Sequence, residues 1–266
     1  MAHAIEGLHN FRDTGGMPLI GGGTTRAGVL YRSAALDRLT DAGLEALADS
    51  PIGVVADFRT PDERRAAPDR LPPSRPIEIL ELSLLEGAMA EMAQRVLASG
   101  GAADPALVEH ALAQLPTLDQ LYVGMLQHGA ASFAEVARRV GASRDDEPTA
   151  VLVHCTAGKD RTGVAVALLL DAAGVERDAV VADYAASQQH LAGAWADGML
   201  AMISSLGMPL TPALRTLVTE TPPSAIRAAL DWVDRTHGGA ADYLATGGLS
   251  ADGIDALRRR LRGGAC

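Results

Sequence analysis

Cysteine is nearly absent: Cys155 and Cys266 are the only two in 266 residues. That excludes a disulfide framework, and without a Cys-x-x-Cys pair it leaves no zinc site of ordinary ligand spacing. Aromatic residues make up only 3% of the chain. Alanine, valine and leucine must therefore fill the interior, which suits a helix-rich α/β core. Surplus positive charge is also missing. A formal net charge of −10 argues against general affinity for nucleic acid or anionic membrane surfaces, so an anionic substrate must be drawn in locally. Long apolar runs are lacking too. The opening MAHAIEGLHN holds no signal core, and the longest apolar run, residues 164–170, is far short of the roughly 18 residues of a membrane span. The expectation is a soluble protein with no stable membrane anchor, cytoplasmic or exported without a recognisable signal. No repeat, low-complexity tract or long linker divides the chain, which reads as one domain over residues 1–266.

What is present is patterned. Turn signals crowd the N-terminal part, at Asp13-Thr14-Gly15-Gly16 and Gly21-Gly22-Gly23. Apolar stretches at 17–20 and 29–31 flank the second cluster and predict a β-hairpin. Thr40 suits the N-cap of a short helix with Leu44, Leu47 and Ala48 on one side. Residues 52–58 read as a buried strand whose carboxyl end carries Asp57 and Arg59, the end at which open parallel sheets bind ligands. A second strand is expected within 77–85. From 86 to 140 the period is helical, interrupted at Gly100-Gly101 and Pro105, with Leu118, Leu121, Tyr122, Met125 and Leu126 on one face. Residues 150–153 form an apolar strand, and 162–173 an apolar helix closed by Gly174. Leu191, Trp195, Met199, Met202 and Leu206 make a helical stripe, either core-facing or a mobile cover over a cleft. Pro222-Pro223-Ser224 opens a final helix with Ile226, Leu230, Val233 and His237 on one face.

The richest chemistry lies in VLVHCTAGKDRTG, residues 151–163. Strand, tight loop and helix make successive backbone N–H groups and a helix N-terminus converge on one point, where an anion is stabilised. A cysteine opening that loop has its thiolate stabilised by the same donors and becomes a nucleophile, Cys155. Six residues on, Arg161 offers a planar fork for two oxygens of a phosphate. Thr156, Ala157, Gly158 and Lys159 form the cradle, kept small by Ala157 and Gly158. Thr162 can donate its hydroxyl to the leaving sulfur. His154 is either a hydrogen-bonded core residue or a support fixing the loop from behind. A Walker A loop fails, because Val153 stands where its first glycine belongs and Asp160 follows Gly158-Lys159. No GxSxG nucleophile elbow occurs. An inert buried cysteine would leave Lys159, Asp160 and Arg161 in that turn unexplained.

HCTAGKDRTG resembles the His-Cys-x5-Arg-Thr/Ser signature of the cysteine-dependent tyrosine phosphatase superfamily. The likeness to its bacterial tyrosine/lipid phosphatase family extends to Asn10-Phe11-Arg12-Asp13, Leu30-Tyr31-Arg32-Ser33, Val55-Ala56-Asp57-Phe58-Arg59 and residues 177–184. That resemblance implies an α/β fold with a central, mostly parallel sheet flanked by helices. It also implies a phosphocysteine intermediate, no metal or other cofactor, and a helical lid, which falls at about residues 190–220. Phosphotyrosine proteins are the implied substrates, with phosphoserine/threonine proteins and phosphoinositides as additions. A lysine at the position of Lys159 resembles the phosphoinositide phosphatases, where extra charge meets extra phosphate; alternatively it is a solvated, tuning charge. The general acid is open, since no Trp-Pro-Asp tripeptide occurs. Asp160 and Asp57 are the candidates, and either carboxylate can instead simply orient an arginine. The rivals are a rhodanese-like sulfurtransferase and a non-catalytic phosphate-binding module.

Overall fold

The computed structural model describes residues 5–84, 115–205 and 208–262. Five strands form one sheet in the order β1 (Arg12–Asp13), β2 (Leu30–Ser33), β5 (Ala150–His154), β3 (Ile52–Asp57), β4 (Glu78–Glu81). Only the β1–β2 pair is antiparallel. The expected mostly parallel α/β architecture is therefore present. Ten α-helices occur among the described residues: α1 (Asp41–Ala48), α2 (Pro61–Ala66), α3 (Leu118–Ala142), α4 (Arg161–Ala172), α5 (Arg177–His190), α6 (Ala194–Ser205), α7 (Pro212–Thr219), α8 (Pro223–His237), α9 (Ala240–Thr246) and α10 (Ala251–Arg262).

The central strand explains its own sequence. Every residue of β5 is buried, because a parallel strand in mid-sheet has packing on both faces and no solvent side to alternate with. Val151 and Val153 join the larger hydrophobic cluster with Leu30, Val54 and Ala56. Ala150 and Leu152 point the other way, into a smaller cluster with Tyr31, Leu36, Leu39 and Leu47. Burying a side chain such as Leu152 is worth about 1.5–3 kcal/mol. A register shift between Ile52 and Val54 puts Ile52 and Val55 together in the smaller cluster, which simple alternation would not do. Gly53 sits at that bulge, where an added Cβ would lie 1.6 Å from the Pro148 carbonyl oxygen.

The sheet positions the loop directly. Ser33, His154 and Asp57, the last residues of three neighbouring parallel strands, lie in one register row, and the 155–160 loop leaves from that edge. It enters α4, whose residues 162–170 are all buried. A helix apolar all round needs cover all round, and α3, α5, α8, α9 and α10 provide it.

Three expectations are corrected. The N-terminal antiparallel pair exists, but its first arm is Arg12–Asp13; the 17–20 stretch makes only isolated bridges, Pro18 to Thr24 and Leu19 to Val175. Second, the stripe from Leu191 is not one helix face. Leu191 closes α5, Gly193 takes φ +78°, and α6 then buries Leu200 and Ile203 while Met202 is 51% exposed. Leu206 lies outside the described residues, as do Cys266 and the helical pattern from 86 to 114. Third, α8 is not the last helix. Gly238 and Gly239, both at positive φ, end it, and α9 and α10 follow.

Candidate active site

The loop is shaped by what holds its carbonyls. Asn10 Nδ2 donates to Ala157 O (3.1 Å) and Gly158 O (2.9 Å), Arg32 Nη2 donates to Gly158 O (2.8 Å), and Ala35 N–H donates to Thr156 O (3.2 Å). In a planar trans peptide the N–H points opposite to the C=O. Tying those three carbonyls rearward therefore turns the N–H groups of Ala157, Gly158 and Lys159 forward. Among the described residues, no N–H of residues 156–160 donates to a protein acceptor. Gly158 has φ +68°, and a Cβ there would lie 2.0 Å from Ser33 O, so glycine is required on two grounds.

A buried network braces the two anchors. Asp183 accepts from Arg12 Nε (2.7 Å) and Arg32 Nη1 (2.6 Å), Ser187 Oγ accepts from both arginines, and Arg12 also holds Asn10 Oδ1 at 2.5 Å. Burial disfavours the charged Asp183, but the Arg32 and Arg12 charges outweigh it and keep the carboxyl below its ordinary range. Asn10, Arg12, Arg32 and Asp183 are thus the physical content of the N-terminal and 177–184 segments.

Cys155 begins the loop and is 2% exposed. Arg161 opens α4 and is held end-on by Glu63: Nη1 to Oε2 and Nη2 to Oε1, both 2.7 Å. Thr156 Oγ1 donates to the same carboxylate at 2.6 Å. Burial opposes the Glu63 charge, yet the bonds from Arg161 and Thr156 bring its carboxyl down to about 2. Glu63 was missed as a site residue. Thr60-Pro61-Asp62-Glu63 is a legible capping box, and it forms, but nothing local says that its glutamate reaches a residue 98 positions away.

Asp160 is the N-cap of α4, and its side chain is 22% exposed. Oδ1 accepts from Tyr122 Oη and Lys159 Nζ, each at 2.7 Å. Among the described residues Oδ2 accepts no bond. Tyr122 also meets Tyr184 Oη at 2.7 Å, and burial, with the Asp160 charge next, pushes its hydroxyl well above the ordinary tyrosine value. Lys159 is not a solvated charge. It is 1% exposed, and Nζ also donates to the Leu217 carbonyl beneath α7 (2.8 Å) and to Glu220 O (3.3 Å). Thr162 has a buried hydroxyl without a partner among the described residues. Asp57, 0% exposed, is bound through both oxygens by Arg59 and lies beside His154 in the sheet.

Asp57, Asp69 and His154 bring ligand-type atoms within 4.8 Å of one another. Arg59 already bridges the two carboxylates, at 2.9 Å and 2.7 Å, so the cationic charge a metal would bring is in place.

The family model described as the tyrosine phosphatase family matches residues 3–263. The chain belongs to this family. A tyrosine-protein phosphatase of Nostoc commune is 36% identical over 168 residues, 63% of this chain and 51% of the relative; the chain spans about half that protein's length. A Cupriavidus necator protein with a provisional tyrosine-protein phosphatase name is 32% identical over 91% of this chain and 82% of its own. The triple specificity protein phosphatase PtpB of Mycobacterium tuberculosis is 30% identical over 97% and 98% respectively. In this tyrosine phosphatase family member, no helix among the described residues is long and apolar enough to cross a membrane.

Proposed function

We propose that the protein is a cysteine-dependent phosphomonoester hydrolase acting on phosphotyrosine proteins, and also on phosphoserine/threonine proteins and phosphoinositides. The observation carrying this reading is the set of forward-turned N–H groups, without a protein acceptor among the described residues, between Cys155 and the Glu63-oriented Arg161. Cys155 Sγ attacks phosphorus and the ester P–O bond breaks, giving phosphocysteine. The loop N–H groups and Arg161 stabilise the equatorial oxygens as charge develops. Asp160 gives its proton to the leaving oxygen through Oδ2, then takes one from the water that attacks phosphocysteine. The S–P bond breaks, phosphate leaves, and the Thr162 hydroxyl stabilises the departing thiolate. Asp57, with both oxygens committed to Arg59, serves as an orienting partner. The Nostoc commune relative, a tyrosine-protein phosphatase, supports phosphotyrosine proteins, and the Mycobacterium tuberculosis relative, a triple specificity protein phosphatase, supports a range wider than phosphotyrosine.

The domain reading is a single catalytic domain with α6 and α7 as its lid. In support, Ile203 and Leu214 form a small cluster with Met199, Met208, Leu210 and Val218, apart from the two clusters of the sheet. The test of function is phosphate release from a phosphotyrosine peptide and from soluble phosphoinositides, with Cys155→Ser as the blank. Turnover is expected on both with wild type and on neither with Cys155→Ser. Near-normal turnover by Cys155→Ser would sink the mechanism.

A further inference from the structure

A pair of buried tyrosines stands behind the proposed acid and has no part in the reaction as written. Tyr122, in the second turn of α3, and Tyr184, in α5, are both fully buried. Their rings meet edge to face, with centroids 5.9 Å apart and planes at 84°, a favoured arrangement for aromatic rings. The α4 helix makes room for the second ring through Gly163, the last residue of the 151–163 motif. A Cβ there would lie 2.9 Å from Tyr184 Cδ2.

The two hydroxyls form a one-way chain. An ammonium can only donate, and each tyrosine hydroxyl has a single proton to give. Asp160 Oδ1 accepts from Lys159 Nζ at 2.7 Å, and the Tyr122 proton is spent on the same oxygen, also at 2.7 Å. Tyr184, whose Oη lies 2.7 Å from Tyr122 Oη, is then the donor in that second bond. Burial, with the Asp160 charge next, pushes both hydroxyls above the ordinary tyrosine range, so both keep their protons near neutral pH.

The same chain decides which Asp160 oxygen is left over. Oδ1 takes donors from two different elements, the loop and α3, and bonds from separate directions keep the carboxyl from turning about its Cβ–Cγ bond. Lys159 alone would hold it less well, because its ammonium is also drawn to the Leu217 and Glu220 carbonyls. Among the described residues Oδ2 accepts no bond, which leaves it as the oxygen presented for proton transfer.

We infer that Tyr122 is a positioning residue for the general acid, holding Asp160 through Oδ1 so that Oδ2 carries the transferable proton, with Tyr184 fixing the direction of the Tyr122 hydroxyl. Tyr122 itself gives up no proton in the reaction. The inference rests on the proposed role of Asp160.

The test is Tyr122→Phe, which removes one oxygen atom and keeps the ring. Its kcat and KM are measured on an alkyl phosphate and on p-nitrophenyl phosphate, beside those of Asp160→Asn and of the double variant. On the alkyl phosphate, which needs the acid, kcat is expected to fall about tenfold with KM nearly unchanged, and on p-nitrophenyl phosphate only about twofold. The double variant should be no slower on the alkyl phosphate than Asp160→Asn alone, because the bond has nothing to position once the acid is gone. Equal losses on both substrates, wild-type rates on both, or losses that multiply in the double variant would overturn the inference and leave the hydroxyl as a support of the core. Tyr184→Phe keeps the Tyr122–Asp160 bond and should show the same preference at a smaller size, about threefold on the alkyl phosphate. If Tyr122→Phe does not fold, this variant decides, and a loss without substrate preference counts against the inference. Asp160→Asn separates the two levels of the argument. If it shows no leaving-group dependence, Asp160 is not the acid and the inference falls with that role; if it does and Tyr122→Phe does not, only the role of Tyr122 is lost.

Discussion

At the residue scale, Glu63 shows how a carboxylate acts without touching the reaction. It sets the plane of Arg161 with two parallel bonds, a geometry that lysine or glutamine cannot reproduce in charge and shape together. Because its carboxyl titrates at about 2 in the folded chain against an ordinary 4.5, its stabilisation is present in full above pH 4.5. It is lost as the pH falls toward 2. Glu63→Gln is expected to lower stability at pH 7 by on the order of 2 kcal/mol, after allowance for partial exposure. It should also flatten the pH 5 to 2 part of an acid denaturation curve; a curve parallel to wild type would remove Glu63 from the account. The two aspartates separate by a different measurement. Asp160→Asn should lose far more activity on an alkyl phosphate than on p-nitrophenyl phosphate, whose good leaving group needs little protonation. Asp57→Asn should lose similar activity on both, as expected of a residue that orients Arg59. A leaving-group dependence in Asp57→Asn and none in Asp160→Asn would reverse the assignment.

At the scale of elements, β5 and α4 form the rigid support of the loop. Leu152 is fully buried beneath the sheet, and Leu152→Ala is expected to cost about 2–5 kcal/mol, read as a fall in Tm. A change under 1 kcal/mol would show that this face repacks freely. These elements were legible because two-sided burial writes itself as an uninterrupted apolar run, and Thr40 and Gly174 marked helix ends by their chemistry. Arg12–Asp13 was not legible as a strand, since two residues carry no period; it is held by the side-chain bonds of Arg12 to Asp183 and Ser187. The α10 helix did leave a signal, with Ile254, Leu257 and Leu261 buried at helical spacing and arginines in its last turn. Stopping at α8 overlooked it. Within the site, Cys155, Arg161 and the glycine at 158 followed from local chemistry. Glu63 and the anchors of the loop carbonyls did not, because they arrive through strand order.

At the scale of the whole molecule, Lys159 joins the 155–160 loop to the C-terminal end of α7. Its ammonium sits under the Leu217 carbonyl, so the proposed lid and the loop share one buried charge. Lys159→Met is expected to loosen α6 and α7, and trypsin should then cut after Arg215, an exposed residue of α7, several-fold faster than in wild type. Equal cutting rates would mean that this contact does not hold the helices down. In the proposed reaction the overall acidity of the chain leaves the forward-turned loop N–H groups and Arg161 to attract the phosphoryl group.

The burial of α4 on every side also bears on how the protein fails. A helix with no wet face cannot fray alone, so the cradle it supports should persist until the interior itself gives way. Residual turnover after heating would then serve as a thermometer for the core, tracking the loss of helical signal with temperature point for point.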